Sequence, residues 1–292
     1  MNLFLQEKWH AFMAEMGAIS GYRALSTPEG ELFVGEVRRF RQTQWVLFGA
    51  PEQGQRTVLD SLFDQARQQG VFRIESRFNM ARWREEELPT PARTLLPFGT
   101  YRLPLDGDAD TLWKRLDPDH RRMIRKAREV GLDIRWEVPC AEFHALMEQT
   151  YAFGNAPCPY GLSYLQRLHH HLGSQLLSLG AFQNNKFVAG LLVPLDNHRA
   201  YYLHGARSSD APPGTPVLLH WILLQRLLET GVAAYDLGGA RPQTDDPRLR
   251  GIFFFKSRFG GPFEACSQWQ ADLRPWIARG VDTLQHYREL RR

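Results

Sequence analysis

The chain's 292 residues, 43% of them hydrophobic, suffice for one large or two ordinary domains. Glycine, proline and charged residues stand near average proportions, which excludes collagenous and disordered classes. A formal net charge of +4 permits an anionic partner, such as tRNA, a nucleotide diphosphate or a lipid headgroup, without demanding one.

Residues 1–17 suggest a short amphipathic helix with Phe4, Leu5, Trp9, Phe12, Met13 and Met16 on its apolar side. They do not read as a signal peptide, because Glu7, Lys8 and His10 interrupt the apolar run. No stretch reaches the ~18 apolar residues that a membrane-spanning helix needs. Residues 31–48 suggest a hairpin, with Arg39 and Arg41 near its turn on the face opposite Phe40. A helix over 57–69 would bury Leu59, Leu62, Phe63 and Ala66 and stop at Gly70. A strand over 71–78 follows. Strand, strand, helix, strand suits an acyltransferase-type α/β domain. A charged, proline-containing passage spans 85–100. A strand over 100–105 and a loop over 106–110 follow.

A helix is expected over 118–130, with Pro118 at a permitted first-turn position and Gly131 as its stop. At about 100° per residue, Met123, Ile124, Ala127 and Val130 share one arc. Arg121, Arg122, Arg125, Lys126 and Arg128 fill the opposite arc, opposed only by Glu129. A merely solvated face usually mixes its signs, so this one reads as an anion-facing stripe. Further helices are expected over 141–151 and 164–172. The second carries His169, His170 and His171, which point apart on a helix and cannot share one metal. Strands over 176–182 and 186–195 would join at Gln183-Asn184-Asn185. A strand over 199–205, an apolar helix over 215–230 and a strand over 232–237 repeat the strands-helix-strand plan. A last strand is expected over 261–269 and a terminal helix over 275–292. That helix would place Trp276, Ile277, Val281, Leu284, Tyr287 and Leu290 on one side, with Arg288, Arg291 and Arg292 at its basic end. Cys140, Cys158 and Cys266 are odd in number and unpatterned, as in reduced cytoplasmic proteins.

The stretch Tyr235–Gly261 is the most informative. Asp236 sits in a short apolar strand that Gly238 and Gly239 break. Beyond a polar loop, Gly251-Ile252-Phe253-Phe254-Phe255 reads as a buried strand or tight core segment, and Lys256 follows directly. A buried lysine needs a partner or a task. Snorkelling to water is the structural alternative.

Tyr235-Asp236-Leu237-Gly238-Gly239, then Phe255-Lys256 and Phe259-Gly260-Gly261, resembles the FemA/FemB/FemX family. So does Arg121-Arg122-Met123-Ile124-Arg125-Lys126-Ala127 followed by Gly131-Leu132-Asp133-Ile134. These are non-ribosomal peptidyltransferases that move an amino acid from aminoacyl-tRNA to a peptidoglycan precursor. The resemblance implies an α/β fold of two tandem GNAT-like domains. They would span 1–134, with 270–292 packing back on the first, and 135–269. It implies Phe255 and Lys256 at the transfer site, and Arg121, Arg122, Arg125, Lys126 and Arg128 toward the tRNA. Tyr235, Gly238, Gly239, Arg258, Arg39, Arg41 and Tyr160 are substrate-side candidates. Asp236 would take or position the amine's proton, or else structure the glycine turn. The donor is a substrate, so no cofactor or metal is implied. The precursor, nucleotide- or lipid-linked, would bring the protein to the inner membrane surface. The chain lacks the coiled-coil arm of some members, and has Ala152-Phe153-Gly154 where a basic residue often stands.

The rival reading is an N-acyltransferase of the same fold using acyl-CoA or an acyl-carrier protein. Its pyrophosphate loop needs free backbone N–H groups. Residues 205–216 hold Pro212, Pro213 and Pro216 and the acid Asp210, and proline removes such donors. A tRNA- or nucleic-acid-binding module without catalysis is the third reading.

Overall fold

The computed structural model describes residues 2–289. A 3₁₀ turn precedes α1 (Glu7–Glu15), followed by β1 (Gly21–Thr27), β2 (Gly30–Arg39), β3 (Gln42–Val46), α2 (Gln55–Gln68), β4 (Arg73–Ser76) and β5 (Ala92–Pro104). Next come α3 (Ala109–Arg115), α4 (Pro118–Glu129), β6 (Asp133–Trp136), α5 (Cys140–Ala152), α6 (Leu162–Leu172), β7 (Leu176–Gln183) and β8 (Lys186–Pro194). The chain closes with β9 (Arg199–Tyr201), β10 (His204–Arg207), α7 (Thr215–Thr230), β11 (Ala234–Ala240), α8 (Pro247–Ser257), β12 (Phe263–Asp272) and α9 (Pro275–Glu289). Two compact units result: Met1–Gly99 with Ala265–Arg292, and Thr100–Glu264.

In the first unit the strand order is β1-β2-β3-β4-β12. The β1/β2 and β2/β3 pairs are antiparallel, β3 and β4 are parallel, and β12 returns antiparallel to β4. The parallel pair requires a crossover, which α2 supplies. Its stripe of Val58, Leu59, Leu62, Phe63 and Ala66 is buried with Trp45, Trp83 and Trp269. The β2–β3 turn is tight, with Phe40 and Arg41 both at positive φ (47° and 68°). Arg73 ties the returning segment down. Its Nε donates to Asp272 at 2.6 Å and its Nη atoms to the Asp282 carboxylate at 2.8 Å.

In the second unit β6, β7, β8 and β10 form an antiparallel sheet in the order β10-β8-β7-β6. β9 instead pairs parallel with β11. Strand, helix α7, strand thus repeats the plan of the first unit, as the sequence suggested. The β7–β8 hairpin turns at Asn184 and Asn185, both at positive φ, where it was expected. α7 is buried along most of its length, and α4 lays Ile124 and Ala127 into the same core.

Four expectations need correction. First, the compact units divide at 99/100 and 264/265, not at 134/135 and 269/270. The packing of α4 on the α7 core carries residues 100–134 into the second unit. Second, Gly251–Phe255 is not a strand but lies inside α8. Asp246 caps that helix by accepting from Arg248 N at 2.8 Å, and Pro247 occupies its first turn. Third, α9 does not bury the side expected of it. Ala278 and Val281 are buried, whereas Trp276, Leu284 and Tyr287 are exposed. Asp282, drawn to Arg73, sets that rotation. Leu290, Arg291 and Arg292 lie outside the described residues. Fourth, β1 and β6 were missed.

Candidate active site

β9 and β10 belong to one stretch of chain that changes partners. Tyr201 still pairs with Asp236 of β11, whereas His204 pairs with Leu192 of β8. Tyr202 sits at the parting. A cleft of about 1230 Å³ opens there. Tyr202, Gly205 and Arg207 line it from the strands, Met123 from α4, Tyr151 and Phe153 from the end of α5, and Arg248 and Phe255 from α8. Pro212, Pro213 and Gly214, which lead into α7, complete the wall.

Lys256 is the buried residue of α8, at 7% exposure, while Phe254 is 55% exposed. Helical geometry turns the apolar run partly outward and the lysine inward. The ammonium donates to the Gly239 carbonyl at 2.9 Å and lies 5.7 Å from the centre of the Tyr202 ring. Both contacts offset its burial. Its neighbours Phe255 and Tyr202 line the cleft.

Two buried histidines surround this point. His220 shares a hydrogen bond with the Tyr235 hydroxyl through Nδ1 at 2.9 Å. Its ring centre lies 4.6 Å from Tyr202, 5.6 Å from Phe255 and 4.9 Å from Phe259. His120 packs on the same phenylalanines, at 5.6 Å from Phe255 and 4.6 Å from Phe259. Burial, helped by His120 and Lys256, holds the His220 pKa down to about 3. Burial and the Arg258 charge hold His120 down to about 4. Both are neutral near pH 7. Among the described residues, neither His220 Nε2 nor His120 Nδ1 has a hydrogen-bond partner.

Asp236 is buried and accepts from Thr100 Oγ1 at 2.7 Å and from Gly238 N at 2.8 Å. β11 runs on through Gly238 and Gly239 to Ala240, so the glycines do not break the strand as expected; Gly238, at φ 74°, is a local irregularity in it, next to the Gly239 carbonyl that Lys256 meets. Asp236 therefore holds this glycine segment. Tyr235 is fully buried with its hydroxyl on His220, so it presents no face to the cleft. Tyr160 packs against Tyr164 and His204, and its ring lies 6.3 Å from that of Tyr151, which does line the cleft.

On α4, Arg122 pairs with Asp119 at 2.9 Å, and Arg258 approaches the same carboxylate at 3.6 Å. The stripe is thus less purely cationic than Glu129 alone suggested. Arg125 lies over Trp113, and Lys126 and Arg128 are exposed. Arg39 and Arg41 belong to the first unit, at the β2–β3 turn. The sequence reading missed Tyr202, Arg207, Arg248, His120 and His220. A lone histidine within Val217-Leu218-Leu219-His220-Trp221-Ile222-Leu223 was a signal for the last of these.

Residues 115–247 match the family model of the acetyltransferase (GNAT) domain. FemX shares the chain's fold, with a TM-score of 0.74 over 95% of this chain and 94% of FemX at 14% identity. L-PGS from Bacillus licheniformis superposes with a TM-score of 0.60 over 96% of this chain and 95% of its own, at 15% identity. No curated protein sequence matches. The fold is therefore α/β, two tandem GNAT-like units. Among the described residues no helix is long and apolar enough to cross a membrane.

Proposed function

We propose that the chain is an aminoacyltransferase. It moves an amino acid from aminoacyl-tRNA to an amine of a nucleotide- or lipid-linked peptidoglycan precursor, in the cytoplasm. The observation that carries this reading is the enclosed Lys256 ammonium, held by Gly239 and Tyr202, next to a cleft that Phe255 and Tyr202 line.

The neutral acceptor amine attacks the ester carbonyl carbon, and a C–N bond forms. Negative charge develops on the former carbonyl oxygen, and the fixed Lys256 ammonium stabilises it. Collapse breaks the C–O bond. The amine's proton leaves with the 3′-hydroxyl of the tRNA. Arg207 and Arg248 face the donor's phosphates, and Phe153 and Tyr151 offer rings to its terminal base. The exposed cations of α4 meet the tRNA backbone. Asp236 is engaged with Thr100 and Gly238, which supports a positioning role for it rather than a base.

The acyl-CoA reading is weaker because of the backbone before α7. Pro212, Pro213 and Pro216 have no N–H, and the Thr215 N–H already donates to Pro212 O at 3.1 Å. Little of a phosphate nest is left. The test supplies a tRNA pool charged with radiolabelled amino acids, or a labelled acyl-CoA pool, together with a muramyl pentapeptide acceptor. Label passing from tRNA to acceptor supports the reading. Label passing only from acyl-CoA replaces it.

A further inference from the structure

We propose that the outward face of α9 docks on an anionic lipid bilayer. The inward face is accounted for: Ala278 and Val281 are buried with Phe72, and Asp282 is bound by Arg73. The outward face is not. Trp276 is 82% exposed, Tyr287 60% and Leu284 48%. At about 100° per residue these three share one stripe with Gly280. Arg279 borders the stripe on one side and Arg288 on the other. The Arg279 guanidinium lies 5.2 Å from the Trp276 ring, and that of Arg288 lies 4.5 Å from Phe40. Among the described residues of α9, no acid falls on the arc between them. Asp282 is turned to Arg73, and Glu289, off the stripe, lines a small pocket with Arg38, Arg39 and Arg288. The β2–β3 turn adds Arg41, exposed like Arg38 and Arg39.

An occupant must satisfy tryptophan, tyrosine, leucine and flanking arginines together. A second copy on a two-fold axis would set these cationic rims against each other. RNA would meet the cations and leave Leu284 in water. A bilayer meets all of them: rings at headgroup depth, leucine against acyl chains, guanidinium groups on lipid phosphates. One stripe on one helix gives weak, reversible, salt-sensitive attachment. The proposal does not depend on the transfer reaction.

The test sediments the full chain with vesicles of phosphatidylcholine and phosphatidylglycerol, and with phosphatidylcholine alone. The chain should pellet with the mixed vesicles and less so at high salt. Trp276→Ser with Leu284→Ser and Tyr287→Ser should lower the bound fraction at least about tenfold. Arg279→Glu with Arg288→Glu should do the same. All five side chains are exposed, and circular dichroism checks that both variants fold. No pelleting with mixed vesicles, or equal pelleting of both variants, overturns the proposal. So does a concentration-dependent dimer, or tRNA binding without vesicle binding, that the triple serine variant abolishes. Those outcomes assign the face to a second copy or to RNA.

Discussion

The Lys256 ammonium and the Gly239 carbonyl oxygen lie 2.9 Å apart, and the pair joins helix α8 to the C-terminal end of β11. Three phenylalanines precede the lysine, yet Lys256 is the most enclosed residue of its helix. Lys256→Met keeps the bulk and removes the charge. It should lower the transfer rate about a hundredfold or more, the scale of one lost oxyanion-stabilising group. Stability should fall by only about 1 kcal/mol, the worth of one hydrogen bond. Initial rates and urea unfolding separate the two effects.

The buried histidines set the acid limit of stability. Burial lowers His10, His120 and His204 to about 4 and His220 to about 3 in the fold, against 6.5 for a free side chain. Below about pH 6.5 the unfolded chain takes protons that the folded chain refuses. Stability is therefore full above that pH and is lost as pH falls toward the folded values. The melting temperature should drop between pH 7 and pH 5. Equal values at both pH values would contradict the burial of these rings.

Tyr235→Phe should cost about 1–3 kcal/mol in urea unfolding, because it strips His220 of the partner on Nδ1. Among the described residues the second nitrogen has none already. A loss of activity larger than the loss of stability would show that this pair also positions Tyr202, whose ring lies 4.6 Å from His220.

Gly214 caps α7 at φ 88°, and a Cβ there would come within 2.5 Å of the Met123 carbonyl oxygen. Gly214→Ala should destabilise by more than about 1 kcal/mol, since both the conformation and the backbone clash oppose it. It should also displace α4 at the cleft wall and weaken donor binding. Thermal unfolding and tRNA affinity measure these separately.

Arg121→Glu, Lys126→Glu and Arg128→Glu together should weaken tRNA binding at low salt and flatten its salt dependence, by roughly one unit of slope for each phosphate left without its cation. Filter binding across a salt series reads the slope. An unchanged slope would remove α4 from the tRNA path.

Much of the fold was legible where local chemistry and tertiary packing agree. Asn184-Asn185 takes the left-handed turn that a tight hairpin demands. Pro118 begins α4 and Gly131 follows it, as expected. α8 was misread because Gly251–Phe255 has the apolar run of a strand and no helical stripe. The Asp246-Pro247 start signal was present and was outweighed. β1 and β6 were missed because they are short or largely exposed, and β6 shows no clear alternation. Lys256 stood out as an anomaly in sequence. Its partners did not, because Gly239 on β11 and Tyr202 at the parting of β9 and β10 reach it only through the fold. The rotation of α9 depended on Arg73, distant in sequence.

The most direct test of the proposed transfer is the mass of the acceptor. Purified protein, a pool of charged tRNAs and a muramyl pentapeptide precursor are incubated with wild type and with Lys256→Ala in parallel. A gain of one amino-acid residue is expected with wild type and none with the variant. No gain from any charged tRNA, or an equal gain with Lys256→Ala, would contradict an aminoacyl transfer centred on Lys256.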